Sequence, residues 1–309
     1  MENHAPVLLD EALAGLGVKP DGRYVDATFG RGGHARAIHM KLGPTGRLLV
    51  VDRDPEAVAC ARRELGEDPR VRVAYGGFGA LEQLVPADWR VPGLDGILFD
   101  LGVSSPQLDT AERGFSFTRD GPLDMRMDPG AGPTAARWLA DVREEELARV
   151  IHELGEERFA RRIARAIVSR RQEAPITRTA DLAAIVAAAV RTREPGKHPA
   201  TRTFQAIRMH INQELEELGR GLTASLTLLA PLGRLCVISF HSLEDRAVKL
   251  FMRRHASVDP VYAGLPHVPA AAGPKLRLIG KAVKPGAREL AANPRARSAR
   301  LRVAERLVA

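Results

Sequence analysis

Residues 26–35 read DATFGRGGHA, and this glycine-rich stretch decides how the N-terminal part of the chain folds. Gly30, Gly32 and Ala35 satisfy the GxGxxA pattern of a dinucleotide-binding loop, and Asp52 follows Gly32 by twenty residues as an acidic partner. Glycine turns after a first strand also occur with other adenosine-bearing cofactors. The loop alone therefore leaves open whether the protein is a nicotinamide-dependent dehydrogenase or another kind of enzyme.

Short apolar runs with turn residues beside them recur around this loop and predict a parallel, doubly wound α/β sheet. A helix is predicted at 55–65, PEAVACARREL, between two of these runs. The predicted strands are RYVDATF (23–29), RLLVVDRD (47–54), VRVAYGG (71–77), DGILFDLG (95–102), GRLCVISFHS (233–242) and, in the C-terminal tail, RLRVAER (300–306).

The alternation of strands and helices stops after Gly102, and helical patterns take its place. One long helix is predicted at 201–222, leading back to the sheet. We therefore expect a discontinuous sheet domain at 1–110 and 203–309, interrupted by an all-helical substrate-recognition domain at 111–202. The helical stretches of the insertion are WLADVREEELARVIHELG (138–155), EERFARRIARAIVSRR (156–171) and TADLAAIVAAAVR (179–191).

The positive charge of the chain is concentrated at its C-terminal end. Of 309 residues, 45% are hydrophobic and 27% charged, which is typical of a globular protein, and the formal net charge is +8. Residues 275–309 contain ten Lys or Arg and two Glu, so they carry all of that net charge. A concentrated basic tail favours a polyanionic partner, with nucleic acid first. A solubilising tail without a ligand is the alternative.

Cysteine usage and the N-terminal sequence indicate the compartment. Cys60 and Cys236 lie far apart among apolar residues, which favours two reduced thiols and no zinc site, and no metal is expected. The first twenty residues lack a basic start followed by an apolar core, so no secretory signal is expected. The run LAAIVAAAV at 182–190 is too short to span a bilayer. A cytoplasmic protein without a membrane partner is expected.

Two aspartates stand at the predicted carboxyl ends of strands, where ligands bind in open α/β sheets. Asp52 ends the second strand, and an acid there can accept both ribose hydroxyls of any adenosine-bearing cofactor. Asp100 ends the fourth strand. A glycine loop after the first strand with acids at these two tips is the layout of S-adenosylmethionine-dependent methyltransferases. S-adenosylmethionine is therefore the expected cofactor.

Several longer motifs make the class more specific. They are HAPVLLDEAL, VDATFGRGGHA, DGILFDLGVSSPQLDTAERGFSF, GPLDMRMD, KHPATRTFQAIR, VISFHSLEDR and NPRARS. In these motifs the chain resembles, over nearly its whole length, the bacterial 16S ribosomal RNA cytidine-N4 methyltransferases, the MraW or RsmH family. The resemblance implies a Rossmann-like class I methyltransferase sheet with an inserted all-helical domain. It also implies methylation of N4 of a cytidine in the decoding (P-site) region of 16S rRNA, on an assembled small subunit.

The resemblance also implies where the cofactor binds. The glycine loop would enclose its methionine part, Asp52 would accept its ribose hydroxyls, and Phe78 would lie against its adenine. Other interpretations stay open: His34 as a helix-entry residue, Phe78 as core, and Gln107 as a solvated loop residue. The implied cofactor contacts are Gly32, Gly33, His34, Asp52, Phe78, Asp100 and Gln107.

Methylation of an exocyclic amine calls for a group that accepts a proton. Asp100 and His241, each at the end of a predicted strand, are the candidate catalytic residues, and His241 could equally be a structural histidine. Many amino-directed methyltransferases carry Asp/Asn-Pro-Pro-aromatic at the fourth strand. This chain has Asp-Leu-Gly-Val at 100–103 instead, so the residues that bind the base are not identified.

Basic residues in two regions are candidates for binding the RNA backbone. At the exit of the insertion and in the tail they are Lys197, His198, Arg202, Arg208, Arg295, Arg297 and Arg300. A second group within the insertion is Arg158, Arg161, Arg162, Arg165, Arg170 and Arg171. A domain hinge and a solvated helix face are the alternatives. Two other functions stay open, an enzyme for another nucleic acid and a non-catalytic RNA-binding assembly factor, and so does the oligomeric state, a dimer included.

Overall fold

The chain divides into two compact units. The computed structural model describes residues 6–190, 198–262, 269 and 272–308. The first unit comprises Met1–Gly102 and Leu215–Ala309, and the second comprises Val103–Glu214. An insertion within a discontinuous sheet unit agrees with the sequence prediction. The second unit, however, is wider at both ends than the predicted 111–202.

The first unit contains a seven-stranded sheet in the order β3-β2-β1-β4-β5-β7-β6. Strands β1 to β5 are parallel, whereas β7 runs antiparallel to both β5 and β6. All six strands predicted from the sequence are present, and the short β6 is the one that was missed. The strands are β1 Arg23–Asp26, β2 Arg47–Asp52, β3 Val71–Tyr75, β4 Leu94–Asp100, β5 Leu229–Ser239, β6 Leu276–Leu278 and β7 Arg300–Arg306.

The helices of both units follow in chain order. They are α1 Leu9–Leu16, α2 Gly33–His39, α3 Pro55–Leu65, α4 Leu81–Leu84, α5 Ser105–Asp109, α6 Ala135–Asp141, α7 Glu144–Gly155, α8 Ala160–Glu173, α9 Thr179–Ala189, α10 Thr201–Ile211, α11 Glu214–Leu228, α12 Ser242–His255 and α13 Ala287–Ala292. The predicted helix at 55–65 has the bounds of α3. Its start is explained by Asp54, whose side chain accepts the N–H of Glu56, and by Pro55 at the first helical position.

Two apolar layers cover the faces of the sheet. Helices α1, α2 and α3 pack on one face, and α4, α11 and α12 pack on the other. Side chains alternate between faces along each strand, so Leu98 joins the first layer and Phe99 the second. Because both faces are covered, the central strands are nearly continuous apolar runs, which explains why the sequence predicts them well. Burial of one such side chain contributes about 1.5–3 kcal/mol.

The sheet brings three acidic residues to one edge. Parallel strands end at the same edge of a sheet, and Asp26, Asp52 and Asp100 are the last residues of β1, β2 and β4. In the strand register Asp26 lies opposite Leu98 of β4, two residues before Asp100. This is the edge at which open α/β sheets bind ligands.

In the described residues of the second unit, the regular elements are helices, and an isolated bridge joins Pro122 and Arg178. Helices α6 to α10 enclose their own apolar core, which includes Leu147, Ile163 and Phe204. At Gly155 a Cβ atom would lie 2.7 Å from the carbonyl oxygen of Arg202, so glycine allows α7 and α10 to approach closely.

Two of the helices predicted from the sequence are interrupted in the structure. The single helix predicted at 201–222 is two helices, α10 and α11, because the chain turns at Gln213 with a left-handed φ of 51°. The Asn212 side chain accepts the N–H of Met127 (2.7 Å) and donates to the carbonyl of Met125 (2.8 Å). These bonds tie the end of α10 to the second unit and explain why that unit extends past residue 202. The stretch 138–155 likewise contains a break, between α6 and α7.

Cys60 and Cys236 are free, buried thiols, as expected, and burial raises the pKa of both. Among the helices that the structure describes, none combines the length and apolar character needed to cross a membrane.

Candidate cofactor and catalytic site

The glycine loop is tight and is attached to the neighbouring strand. Gly30 (φ 54°) and Gly32 (φ 73°) have left-handed backbone conformations that favour glycine. At Gly32 a Cβ atom would lie 2.5 Å from Cζ of Phe29, and at Gly33 it would lie 2.3 Å from Cγ of Pro6. The loop therefore requires glycine at these positions, because Phe29 and Pro6 fill the space that a side chain would need.

Asp52 organises this loop. Its Oδ2 accepts the N–H of Gly30 and its Oδ1 accepts the N–H of Asp54, both at 2.8 Å. Burial raises the pKa of Asp52 to about 6. A carboxylate offers about four lone-pair positions, and backbone N–H groups, that of Arg53 among them, do not take all of these. The geometry is thus compatible with the predicted ribose contact.

Two acids at the edge of the sheet carry unpaired oxygens. Oδ2 of Asp26 and Oδ1 of Asp100 are buried without a hydrogen-bond partner among the residues that the structure describes. Burial raises the pKa of Asp26 to about 7. Burial also raises the pKa of Asp100 well above its ordinary value, and the charges of Asp26 and Glu244 raise it further. Unpaired buried carboxylates are costly, and a cationic ligand would satisfy them.

Asp26 was missed by the sequence interpretation. It is the last residue of β1 but lies in the middle of the predicted strand 23–29, so the sequence did not indicate it as an acid at a strand end. The backbone N–H of Asp100 donates to Oγ1 of Thr28 (2.6 Å), and Oδ1 of Asp26 accepts the N–H of Thr28 (3.1 Å). Thr28 therefore connects the two acids.

His34 is neutral and connects two segments. Its Nε2 lies 3.1 Å from the carbonyl oxygen of Val7, which can only accept, so Nε2 carries the proton. Nδ1 lies 3.6 Å from Oδ2 of Asp100 and presents a lone pair to it. Burial lowers the pKa of His34 to about 4. His34 thus binds the N-terminal segment at Val7 and lies beside Asp100, and its predicted contact with the cofactor stays a prediction.

His241 caps a helix. It is the N-cap residue of α12, and its Nδ1 accepts the N–H of Glu244 at 3.5 Å. Its Nε2 lies 3.1 Å from Oε1 of Glu244, outside hydrogen-bonding alignment, while Oε2 of Glu244 accepts the N–H of Phe240 (2.9 Å). These contacts give His241 a structural role. Its catalytic role stays a prediction.

Phe78 lies in the loop that follows β3. The N–H of Gly76 donates to the backbone carbonyl of Asp52 (2.9 Å), so this loop starts beside the proposed ribose contact. The Phe78 ring is half-buried and meets Phe99 edge-on, with ring centroids 5.5 Å apart. One side of the ring belongs to the core, and the predicted adenine contact stays a prediction.

Gln107 belongs to the second unit and is only 5% exposed, so it is not a solvated loop residue. Its Oε1 accepts the N–H of Ser104 (3.0 Å), and together the two residues form a capping box at the start of α5. Its predicted cofactor contact stays a prediction.

The basic residues at the exit of the insertion differ in environment. Lys197 lies outside the described residues. The His198 ring is exposed and lies 4.6 Å from the Phe117 ring, while Arg202 donates to the carbonyl of Glu156 (3.3 Å). Arg208 makes a two-pronged ion pair with Glu214, both contacts at 2.8 Å. Its guanidinium is therefore paired with a carboxylate of the second unit.

The predicted RNA contacts of the tail lie on ordered backbone. Arg295 and Arg297 are exposed on a 3-10 turn, Pro294–Ser298. Arg300 donates to Asp245 of α12 (3.0 Å), which also receives Arg302 (2.6 Å). Burial opposes the charge of Asp245, but the hydrogen bonds and charges of the two arginines hold its pKa below the ordinary value.

The arginines of the insertion also include both a side chain with structural contacts and exposed side chains. Arg171 donates to the carbonyl oxygens of Leu139 (2.6 Å) and Val142 (2.7 Å), which is a structural contact. Arg161, Arg162 and Arg165 are exposed on α8.

The doubly wound sheet with its antiparallel β7, the glycine loop after β1 and the acids at three strand ends define an S-adenosylmethionine-dependent methyltransferase of the Rossmann-like class I. The chain belongs to the MraW methylase family, which it matches over residues 1–307. The predicted family, fold class and cofactor are thereby confirmed. The protein is therefore a methyltransferase.

Several solved structures are distantly similar. An rRNA methylase from Streptococcus thermophilus is 10% identical, with 100% of this chain and 99% of that chain covered and a TM-score of 0.44. TrmN from Thermus thermophilus is 13% identical, with 97% and 48% covered and a TM-score of 0.44. An S-adenosylmethionine-dependent O-methyltransferase from Thermotoga maritima is 9% identical, with 100% and 69% covered and a TM-score of 0.43.

Proposed function

We propose that this protein transfers a methyl group from S-adenosylmethionine to N4 of a cytidine in the decoding (P-site) region of 16S rRNA. The observation that carries the chemistry is the buried, unpaired Oδ1 of Asp100 at the end of β4. The choice of cytidine N4 and of 16S rRNA rests on the resemblance of the motifs to the family.

The residues of the first unit fit the cofactor. The glycine loop at Gly32 and Gly33 would take its methionine part, and Asp52 would accept its ribose hydroxyls. The unpaired oxygens of Asp26 and Asp100 would face the positive sulfur, and a cation beside them would favour their charged forms. When bound, S-adenosylmethionine supplies a methyl group already activated by the positive sulfur.

Asp100 would act on the amine. The lone pair of a cytosine amine is delocalised into the ring, so the amine is a weak nucleophile. A carboxylate oxygen within hydrogen-bond reach would localise that lone pair and then take the proton that the nitrogen loses. Burial raises the pKa of Asp100, which makes its carboxylate a stronger base than an exposed one.

The RNA has to present the cytidine outside a base stack, because its amine is hidden within one. The exposed Arg295 and Arg297 and the ring of His198 are the described candidates for backbone contacts. A target in the decoding region favours an assembled small subunit as the substrate and the cytoplasm as the location.

The test is methylation of small subunits from cells that lack this protein. Purified enzyme and S-adenosylmethionine should add N4-methylcytidine to 16S rRNA in the subunit, measured by mass spectrometry of nucleosides and of mapped fragments. Methylation of naked rRNA should be weaker. Formation of a different modified nucleoside, or none, would contradict the proposal.

A matched pair of variants tests the role of Asp100. Asp100→Asn keeps the shape but cannot take a proton, so methyl transfer should fall at least 100-fold, in line with the loss of a general base. Asp95→Asn, at an acid on the opposite end of the same strand, should retain activity. An Asp100→Asn enzyme of normal rate would exclude this residue as the proton acceptor.

A further inference from the structure

The loop after β3 is held by a carboxylate from a distant part of the chain. Oε2 of Glu217, in α11, accepts the backbone N–H of Gly79 at 3.0 Å. The other oxygen, Oε1, forms an ion pair with Arg220 one turn later on the helix. The loop is therefore fixed at one end by the Asp52 carbonyl and at the other by Glu217.

Two glycines make room for this carboxylate. At Gly77 a Cβ atom would lie 2.4 Å from Oε2 of Glu217, and at Gly79 it would lie 2.8 Å from the same atom. The carboxylate thus fills the space on either side of Phe78. The Glu217 side chain is only 14% exposed, so its burial needs a compensating partner, and the Gly79 N–H and Arg220 provide it.

The same helix also supports the Phe78 ring. At Gly221 a Cβ atom would lie 3.1 Å from Cδ2 of Phe78, so α11 passes close to the ring. Phe99 contacts the ring edge-on. The position of the Phe78 ring therefore depends both on these ring contacts and on the backbone held by Glu217.

We propose that Glu217 is a positioning residue for recognition of the adenine ring, acting through the Gly77–Gly79 backbone on Phe78. The inference rests on the proposed function and on the predicted contact of Phe78 with the adenine of the cofactor. A preorganised aromatic surface binds a flat ring without first losing loop entropy. Glu217 therefore affects binding of the adenosine part of the cofactor and leaves binding of its methionine part unchanged.

The test measures binding of three probes by calorimetry: S-adenosylhomocysteine, adenosine and L-methionine, the last two by competition. E217A should weaken S-adenosylhomocysteine and adenosine about tenfold and leave methionine unchanged. E217D keeps the charge but is one methylene too short to reach Gly79, so it should lose as much. E217Q keeps an acceptor of the right length and should stay within about threefold of the wild type. E216A, at an exposed neighbour on the same helix, is the control.

The outcomes separate this inference from the proposed function. A wild-type protein that binds no S-adenosylhomocysteine would overturn the proposed function itself. Normal wild-type binding with unchanged adenosine affinity in E217A or E217D would overturn the role of Glu217 alone. Equal losses for adenosine and methionine would indicate general damage to the fold and would also overturn it. If E217A does not fold, E217D and E217Q decide, because both retain the helix and a polar side chain.

Discussion

At the scale of single residues, the candidate site is one edge of the sheet, where acidic side chains are buried although burial disfavours their charged form. Asp26, Asp52 and Asp100 are gathered by three strand ends, and burial raises the pKa of each. Groups with such perturbed pKa values concentrate at functional sites because an arrangement that costs stability persists where it serves binding or catalysis. The cost should be measurable in the protein without its cofactor.

The first prediction concerns stability and pH. The pKa of Asp26 is about 7 in the folded protein against an ordinary value of 3.8, so the folded state binds its proton more tightly than the unfolded state. Stability is therefore highest below about pH 4 for this group and is lost as pH rises toward 7. The difference between the folded and the ordinary pKa corresponds to about 4 kcal/mol of unfolding free energy at most.

Asp26→Asn should flatten this part of the curve. Urea unfolding of the cofactor-free protein between pH 5 and 8 is the measurement, and Asp10→Asn, at an exposed acid, is the control. An unchanged dependence on pH in Asp26→Asn would show that Asp26 does not carry a raised pKa.

The second prediction concerns Asp52. Asp52→Ala removes the proposed acceptor of the ribose hydroxyls and the two backbone contacts that shape the loop. Affinity for S-adenosylhomocysteine should fall by about 1.5–3 kcal/mol, as for lost hydrogen bonds to a charged group. Calorimetry on the folded variant is the measurement, with Asp21→Ala, at an exposed acid, as the control. Equal affinity in both variants would remove Asp52 from the cofactor site.

At the scale of helices and strands, the sequence is informative where local signals agree. The bounds of α3 follow from Asp54 and Pro55, and those of β7 follow from a regular apolar pattern. The break between α10 and α11 could not be predicted, because it depends on Asn212 reaching Met125 and Met127, which lie far away in sequence. Strand β6 was missed because three residues are too few to show a period.

The third prediction tests that break. Asn212→Ala leaves a buried N–H of Met127 and a buried carbonyl of Met125 unpaired, and each unpaired group costs about 1–3 kcal/mol. We expect the free energy of unfolding of the second unit to fall by roughly 2–4 kcal/mol. Gln213→Gly relieves the left-handed φ next to it and should be neutral or slightly stabilising. Chemical denaturation followed by circular dichroism measures both, and equal stabilities would show that the side chain of Asn212 does not support the break.

The fourth prediction concerns the basic tail. Arg295 and Arg297 are exposed on a turn, whereas Arg302 is bound to Asp245. If the exposed pair contacts phosphates, replacing both with Ala should reduce the slope of log affinity against log salt by about one to two. Arg302→Ala should leave that slope unchanged. Filter binding of 16S rRNA over a range of salt is the measurement, and the same slope in all three proteins would assign the tail to solubility.

At the scale of the whole chain, the sequence predicts the class but not the assembly of the site. Asp52 and Asp100 were predicted because ligands bind at the carboxyl ends of strands in open α/β sheets. The structural ties of His241 to Glu244 and of Arg208 to Glu214 were not predicted, since they depend on side-chain geometry that no local pattern encodes. Asp26 was missed for a related reason. Its importance comes from burial beside Asp100, which becomes visible only when β1 and β4 pair.

The fifth prediction concerns the separate roles of the two units in cofactor binding and in methylation. The first unit has two apolar layers of its own, so replacing Val103–Glu214 with a Gly/Ser linker should leave it folded. Extra linker length costs only about 0.6 kcal/mol per doubling. This shortened protein should still bind S-adenosylhomocysteine and should not methylate rRNA. Methylation at a normal rate would show that the second unit is not needed for the substrate.

The interrupted sheet also has a consequence for how the protein is made. Strand β4 pairs with β5, for instance Leu98 with Cys236, yet the whole second unit is synthesised between them. At about 5–20 residues per second, synthesis of the residues between β4 and β5 takes on the order of ten seconds. The helical unit, whose contacts are local, can fold within that time. In the nascent chain the second unit is thus folded while one edge of β4, an apolar strand, is still unpaired. Until β5 emerges, that edge is a surface to which chaperones can bind.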